Sequence, residues 1–235
     1  MSDRPNYLRR RTKIVATLGP ATDSPELMEQ LLLAGVNVVR LNFSHGTHDD
    51  HRNRVSLVRS TAKRLGVTVG ILGDLQGPKI RVAKFVDGAV LLNVGERFIL
   101  SANHDSNAGT RDIVGIDYKE LPQDVTDDDV LLLDDGRLRM KVLQVSGGDI
   151  HCEVLNSAKL SNNKGINRFG GGLNAKALTE KDKVDLKFAV DNSMDYIALS
   201  FPRDANDVHE ARQLMESHKG NAGIIAKIER AEAVT

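Results

Sequence analysis

Apolar positions along the chain keep two rhythms, and the point where one gives way to the other divides it. Lys13-Ile14-Val15-Ala16-Thr17-Leu18-Gly19-Pro20 reads as a short buried strand stopped by Gly-Pro. Ser24 then stands as an N-cap before Pro25, Leu27, Met28, Leu31 and Leu32 form an apolar stripe, and Gly35 closes the helix. Val38, Val39, Leu41 and Phe43 read as a second buried strand. Thr47 caps a helix in which Val55, Val58, Ala62 and Leu65 keep 3-4-3 spacing until Gly66. A third apolar run, Val67 to Leu72, leads into the charged stretch Gly73-Asp74-Leu75-Gln76-Gly77-Pro78-Lys79-Ile80-Arg81. Strand, helix, strand, helix, strand predicts a parallel sheet with helices outside, because parallel neighbours need a crossover.

From about Val82 to Gly172 the helical period disappears. Leu138, Met140 and Val142 alternate with Arg137, Arg139 and Lys141, and Ile150, Cys152 and Val154 with His151 and Glu153. Asp87-Gly88, Asp135-Gly136 and Gly147-Gly148 supply the turns. This predicts an all-β insertion, with Gly170-Gly171-Gly172 as a hinge or a tight turn on its far side. The first rhythm then returns. Thr179-Glu180-Lys181-Asp182 resembles a capping box opening a helix to about Val190. Tyr196 to Phe201 is a fourth strand, Val208, Ala211, Met215 and His218 mark the next helix, and Gly223 to Glu229 is a fifth strand.

The strand ends carry the chemistry. Arg40, Asn42 and Ser44 lie two apart, so a pleat sends a cation, an amide and a hydroxyl to one side. Lys227 and Glu229 share a side of the fifth strand in the same way. If the five strands are parallel neighbours, Arg40, Asn42, Ser44, Asp74, Arg81, Lys227 and Glu229 share the face where α/β folds place their chemistry. Arginine forks hold phosphate oxygens, carboxylates hold a divalent metal, and lysine neutralises charge during transfer, so the set suits a phosphorylated substrate. A ring of structural ion pairs is the alternative. His45, His48 and His51 straddle a strand end, a cap and a first helical turn, which argues against a structural zinc.

Composition narrows the partners. Thirty-two basic and thirty-two acidic residues cancel among 235, and 40% hydrophobic content supports a sizeable core. The balance implies neither nucleic acid nor a membrane surface. The single Cys152 and the start without an apolar leader predict a reducing, cytoplasmic address. Arg9, Arg10, Arg11 and Lys13 read as a solvated N-terminal arm rather than a phosphate patch.

Six segments carry a family resemblance. Lys13 to Ala21, Val39-Arg40-Leu41-Asn42-Phe43-Ser44-His45-Gly46, Gly77-Pro78-Lys79-Ile80-Arg81, Asp134-Asp135-Gly136, Asn163-Lys164-Gly165-Ile166-Asn167 and Ala226-Lys227-Ile228-Glu229 resemble pyruvate kinases of bacterial type in order and spacing. The resemblance implies a (β/α)8 TIM barrel interrupted after its third strand by a mobile β lid. It divides the chain into 1–81 (barrel, strands one to three), 82–172 (lid) and 173–235 (barrel, strands four and five), truncated after about five strands.

The activity so implied is phosphoryl transfer from phosphoenolpyruvate to ADP, giving pyruvate and ATP. Arg40, with Arg81 beside it, would orient the phosphoryl group, and Lys227 would stabilise it in flight. Glu229 would hold Mg2+ (or Mn2+), and His45 and Lys164 would hold the nucleotide. Asn42, Ser44, Asp74 and the Leu75 carbonyl match the family's monovalent-cation site. Lys79 stands where potassium-dependent members resemble one another in having glutamate. Its ammonium would replace the cation and make K+ dispensable, unless it pairs with Asp74 or Glu229. The resemblance also implies a homotetramer at full length, and five strands of eight predict that this polypeptide alone is inactive. Two other readings are a magnesium-dependent lyase or phosphotransferase on a related barrel, and a fragment that only binds a ligand or another chain.

Overall fold

The computed structural model describes residues 10–234; Arg9 of the basic cluster lies outside them. In chain order, β1 (Val15–Thr17) leads through a 3-10 turn, Pro20–Thr22, to α1 (Pro25–Leu33), β2 (Val38–Asn42), α2 (His48–Leu65) and β3 (Gly70–Asp74). Next come β4 (Ala89–Leu92), β5 (Arg97–Ser101), β6 (Ile113–Gly115), a one-turn helix α3 (Leu121–Asp124), β7 (Val130–Leu133), β8 (Leu138–Ser146), β9 (Asp149–Val154), β10 (Ala158–Ser161) and β11 (Ile166–Arg168). The chain then forms α4 (Glu180–Asp191), β12 (Tyr196–Ser200), α5 (Ala205–Ser217), β13 (Gly223–Lys227) and a 3-10 turn, Ala231–Val234. Two compact units result. One takes in the described residues up to Pro78 together with Lys176–Glu229, the other Lys79–Ala175 with the residues from Arg230.

The first unit is a five-stranded sheet in the order β1-β2-β3-β12-β13, parallel throughout and open rather than closed into a barrel. Its core sits between sheet and helices. Val39, Leu41, Ile71 and Leu199 are fully buried against Met28, Leu32, Val58, Leu186 and Ala211. Each of the Val, Leu, Ile and Met side chains contributes about 1.5–3 kcal/mol by leaving water. Side-chain caps fix the helix starts: Ser24 Oγ accepts from the Leu27 N–H, Thr47 Oγ1 from Asp50, and Thr179 Oγ1 from Asp182. Asp50 and Asp182 return the bond to Thr47 and Thr179, completing capping boxes. Asp204 caps α5 in the same manner.

Two strands differ from the reading of their sequence. β1 is not buried, since Ile14 is 39% and Val15 54% exposed. β13 likewise exposes Ile225, and it stops at Lys227, so Glu229 lies beyond the strand rather than on its pleat. Both are edge strands of the sheet, and an edge has a covered face only where another element lies over it. Ser44 also falls outside its strand, two residues past the end of β2. On α1 the buried stripe narrows to Met28 and Leu32, and Leu27 faces solvent.

The second unit holds a six-stranded sheet, β11-β7-β8-β9-β5-β6, and a two-stranded sheet, β10-β4. Every pairing is antiparallel except β5 with β6. The predicted alternation is met: Leu138, Met140, Val142, Ile150, Cys152 and Val154 point into the core while their neighbours face outward. A bulge between Val142 and Gln144 shifts the β8–β9 register. The unit is not all-β, because Leu121 buries α3 and the Tyr118 hydroxyl donates to Asp124 Oδ2 at 2.9 Å.

Candidate active site

Register builds the site in the first unit. Thr17 pairs with Arg40, Asn42 with Asp74, Ala198 with Asp74 and Ser200 with Lys227, so polar residues at five strand ends form one row. At its centre is Asp74, only 3% exposed. Arg40 donates from Nε to Asp74 Oδ2 at 2.6 Å and from Nη1 to Thr17 Oγ1 at 2.9 Å. Lys227 reaches the other carboxylate oxygen, Oδ1, at 3.2 Å. This buried carboxylate holds both cations by charge-assisted bonds.

Ser200 completes the row. Its hydroxyl donates to the Leu75 carbonyl at 2.7 Å and accepts from Lys227 Nζ at 2.7 Å. Glu229 lies 3.7 Å from Lys227 Nζ, and its Oε2 accepts from the Phe201 N–H at 3.2 Å. Phe201 has a φ of +57°, a strained left-handed value that turns the chain away where β12 ends. Gly77 closes over Ser200: it has φ +67°, a Cβ there would lie 2.9 Å from the Ser200 carbonyl oxygen, and its N–H donates to buried Asp182 at 3.0 Å.

The stretch after β2 is tied down separately. Phe43 N–H donates to the Asp74 carbonyl, Asn42 Oδ1 accepts from the Ser44 N–H at 3.1 Å, and the Asn42 carbonyl accepts from the His45 N–H at 3.1 Å. His45 itself is exposed. His51 Nε2 donates to the His45 carbonyl at 2.9 Å, with its ring edge-on to Phe43. Burial pushes the His51 pKa below its ordinary value.

Arg81, Lys79 and Lys164 cluster with the second unit. Arg81 donates from Nη1 to the Asn163 carbonyl at 3.0 Å, and its backbone bridges Gly165. Lys164 pairs with Asp134 at 2.8 Å, where Asp134, Asp135 and Gly136 all take positive φ. The Lys79 stem packs beside Gly165, with Cε 3.3 Å from the place a Cβ would take.

Thus the sequence-predicted residues Arg40, Asp74, Lys227 and Glu229 meet, Asn42 and Ser44 meet, and Leu75 joins through Ser200. Ser200, Thr17 and the Phe201 N–H were not singled out from sequence. Ser200 and Thr17 carried the signal that selected Asn42 and Asp74, a polar residue ending an apolar run.

Among the described residues no group of three or more His, Cys, Asp or Glu is arranged around a metal position. Glu229, with its side chain 34% exposed, offers one hard carboxylate to solvent. That suits Mg2+, which keeps several waters and takes one or two carboxylates plus substrate oxygens.

Comparison with known proteins identifies the family. The family description "Pyruvate kinase, barrel domain" matches residues 9–235. The chain belongs to the pyruvate kinase family. It is 57% identical over 225 residues to the pyruvate kinase of Haemophilus influenzae, covering 96% of this chain and 47% of that protein. Pyruvate kinase II of Salmonella typhimurium is 56% identical over 225 residues, again 96% and 47%. Pyruvate kinase of Sporosarcina psychrophila is 44% identical over 228 residues, covering 96% of this chain and 39% of that protein. The chain spans about half the length of the first two relatives. No helix among the described residues is long and apolar enough to cross a membrane.

Proposed function

We propose that this chain supplies the substrate-holding half of a pyruvate kinase, which moves the phosphoryl group of phosphoenolpyruvate to ADP and yields ATP and pyruvate. The observation that carries this reading is the shared carboxylate: Arg40 and Lys227 both bond to Asp74. Two cations held rigidly at one strand-end face are preorganised for an anion in transfer, and phosphoryl transfer needs little else from a protein.

In this reading an oxygen of the ADP β-phosphate attacks phosphorus as the bond to the enol oxygen breaks, and the released enol becomes the stable ketone. Arg40, with Arg81, orients the phosphoryl oxygens. Lys227 neutralises charge on the phosphoryl and on the oxygen it leaves. His45 and Lys164 hold the nucleotide. Glu229 would hold Mg2+ or Mn2+, which when bound neutralises substrate oxygens as a Lewis acid. Asn42, Ser44, Asp74 and the Leu75 carbonyl would form the monovalent-cation site, with the Lys79 ammonium supplying that charge instead.

The accompanying architecture is a (β/α)8 barrel to which residues 1–81 and 173–235 contribute five strands, with 82–172 as the lid. The working enzyme is a cytoplasmic homotetramer. The open sheet ends in two exposed edges, which supports inactivity of the 235-residue polypeptide by itself. ATP formation from ADP and phosphoenolpyruvate with Mg2+ is the test. The enzyme at the relatives' full length should form ATP, and the 235-residue polypeptide should not. Absence of ATP from the full-length enzyme would overturn the activity; turnover by the short polypeptide would overturn the need for a complete barrel.

A further inference from the structure

Beneath the stretch from Phe43 to Gly46 lies a charged cluster that takes no part in the row of strand-end residues. Asp185, on α4 and 3% exposed, accepts from Lys181 Nζ at 2.6 Å on Oδ2 and pairs through Oδ1 with His48 Nε2 at 2.7 Å. Lys181 also donates to the Phe43 carbonyl at 2.6 Å. His48 is the first residue of α2. One buried carboxylate therefore joins α4, the start of α2 and the backbone carbonyl just past β2. Two residues on, the His45 carbonyl is taken by His51, also on α2.

The stretch is thus held from below at two carbonyls only two residues apart, while the His45 side chain faces solvent. A burying role alone would not require this. Phe43 already anchors the strand end through its ring, 3% exposed, and its N–H bond to Asp74. Pinning the two carbonyls fixes the direction in which His45 leaves the backbone, and a group fixed before binding loses less entropy when it takes a ligand.

We infer that Lys181 and Asp185 are positioning residues for nucleotide binding, setting the His45 loop through the Phe43 carbonyl and His48. The inference rests on the reading of His45 as a nucleotide contact. It separates the two substrates, because the side chains of Arg40 and Lys227 bond to the Asp74 carboxylate and not to Lys181 or Asp185.

The test uses the full-length enzyme with Lys181→Met, Asp185→Asn and the conservative Lys181→Arg, whose guanidinium keeps a donor for both oxygens. Lys181→Met should raise KM for ADP about 10-fold with KM for phosphoenolpyruvate and kcat at saturating ADP unchanged, and Lys181→Arg should restore most of it. Amide hydrogen exchange should quicken in residues 43–47 and stay constant in α5. Asp185→Asn should show the same split. Equal changes for both substrates, no change in either, or unaltered exchange in 43–47 would overturn the inference while leaving the proposed activity intact. A parent enzyme that takes no ADP would overturn both readings together.

Discussion

Lys227 places its ammonium 3.2 Å from Oδ1 of Asp74, a residue 153 positions earlier in the chain. The opposite oxygen belongs to Arg40, so Asp74 sets the separation of the two cations. Asp74→Asn keeps the shape and removes the charge. It should lower kcat of the full-length enzyme by about 100-fold, since a small misplacement of positioning groups costs that much. The KM for ADP should change far less. Steady-state kinetics on the folded variant, confirmed by circular dichroism, check this; an unchanged kcat would show that the pair is structural only.

Gly77 offers a test of the backbone that supports Ser200. An alanine there meets φ +67° and a Cβ contact of 2.9 Å with a backbone oxygen that cannot swing away. Left-handed strain and overpacking together should cost about 2–4 kcal/mol. The urea unfolding midpoint of Gly77→Ala should fall accordingly. A midpoint equal to the parent's would mean the turn has room the structure does not show.

Stability should depend on pH through His51. Burial favours its neutral form, so its pKa in the folded state lies below the ordinary 6.5. The unfolded chain then binds more protons in the window just below that value, and stability falls as pH drops through it. Above pH 6.5 the contribution is fully present and constant. In His51→Gln, whose amide N–H still reaches the His45 carbonyl, the fall between neutral pH and the folded pKa should flatten. Denaturant midpoints measured across that range decide; an identical slope in parent and variant would remove His51 as the cause.

Lys79 predicts that no monovalent cation is required. If its ammonium supplies the charge of a monovalent cation, the full-length enzyme should turn over in buffer free of potassium and sodium. Lys79→Glu should then acquire potassium dependence, its rate rising with added KCl and not with added tetramethylammonium chloride. A parent enzyme that is silent until potassium is added would contradict the reading.

Much of this is legible in the sequence. The helix starts at Ser24, Thr47 and Thr179 follow from side chains that offer an acceptor to an N–H within three residues, and the structure forms all of them. The alternation of Leu138, Met140 and Val142 with charged neighbours likewise determined which face of β8 is buried. Misreadings came where a neighbour far along the chain sets the outcome. An apolar run such as Ile14-Val15-Ala16 has the composition of a buried strand, yet β1 lies at an edge, and edge position is a property of sheet order. The role of Ser200 is not legible in the sequence, because a serine ending a strand is ordinary until Lys227 and the Leu75 carbonyl are placed on it.

The sequence by itself determined the local elements, the change of rhythm that sets off the β unit, and the residue types a phosphorylated ligand calls for. Each rests on interactions among residues a few positions apart, which periodicity and capping record directly. Only the tertiary structure decided that Asp74 holds both Arg40 and Lys227, and that Asp185 reaches the Phe43 carbonyl through Lys181. Those contacts depend on parallel register and helix packing. These bring distant side chains within 4 Å by burying apolar faces, and a linear pattern does not encode the result.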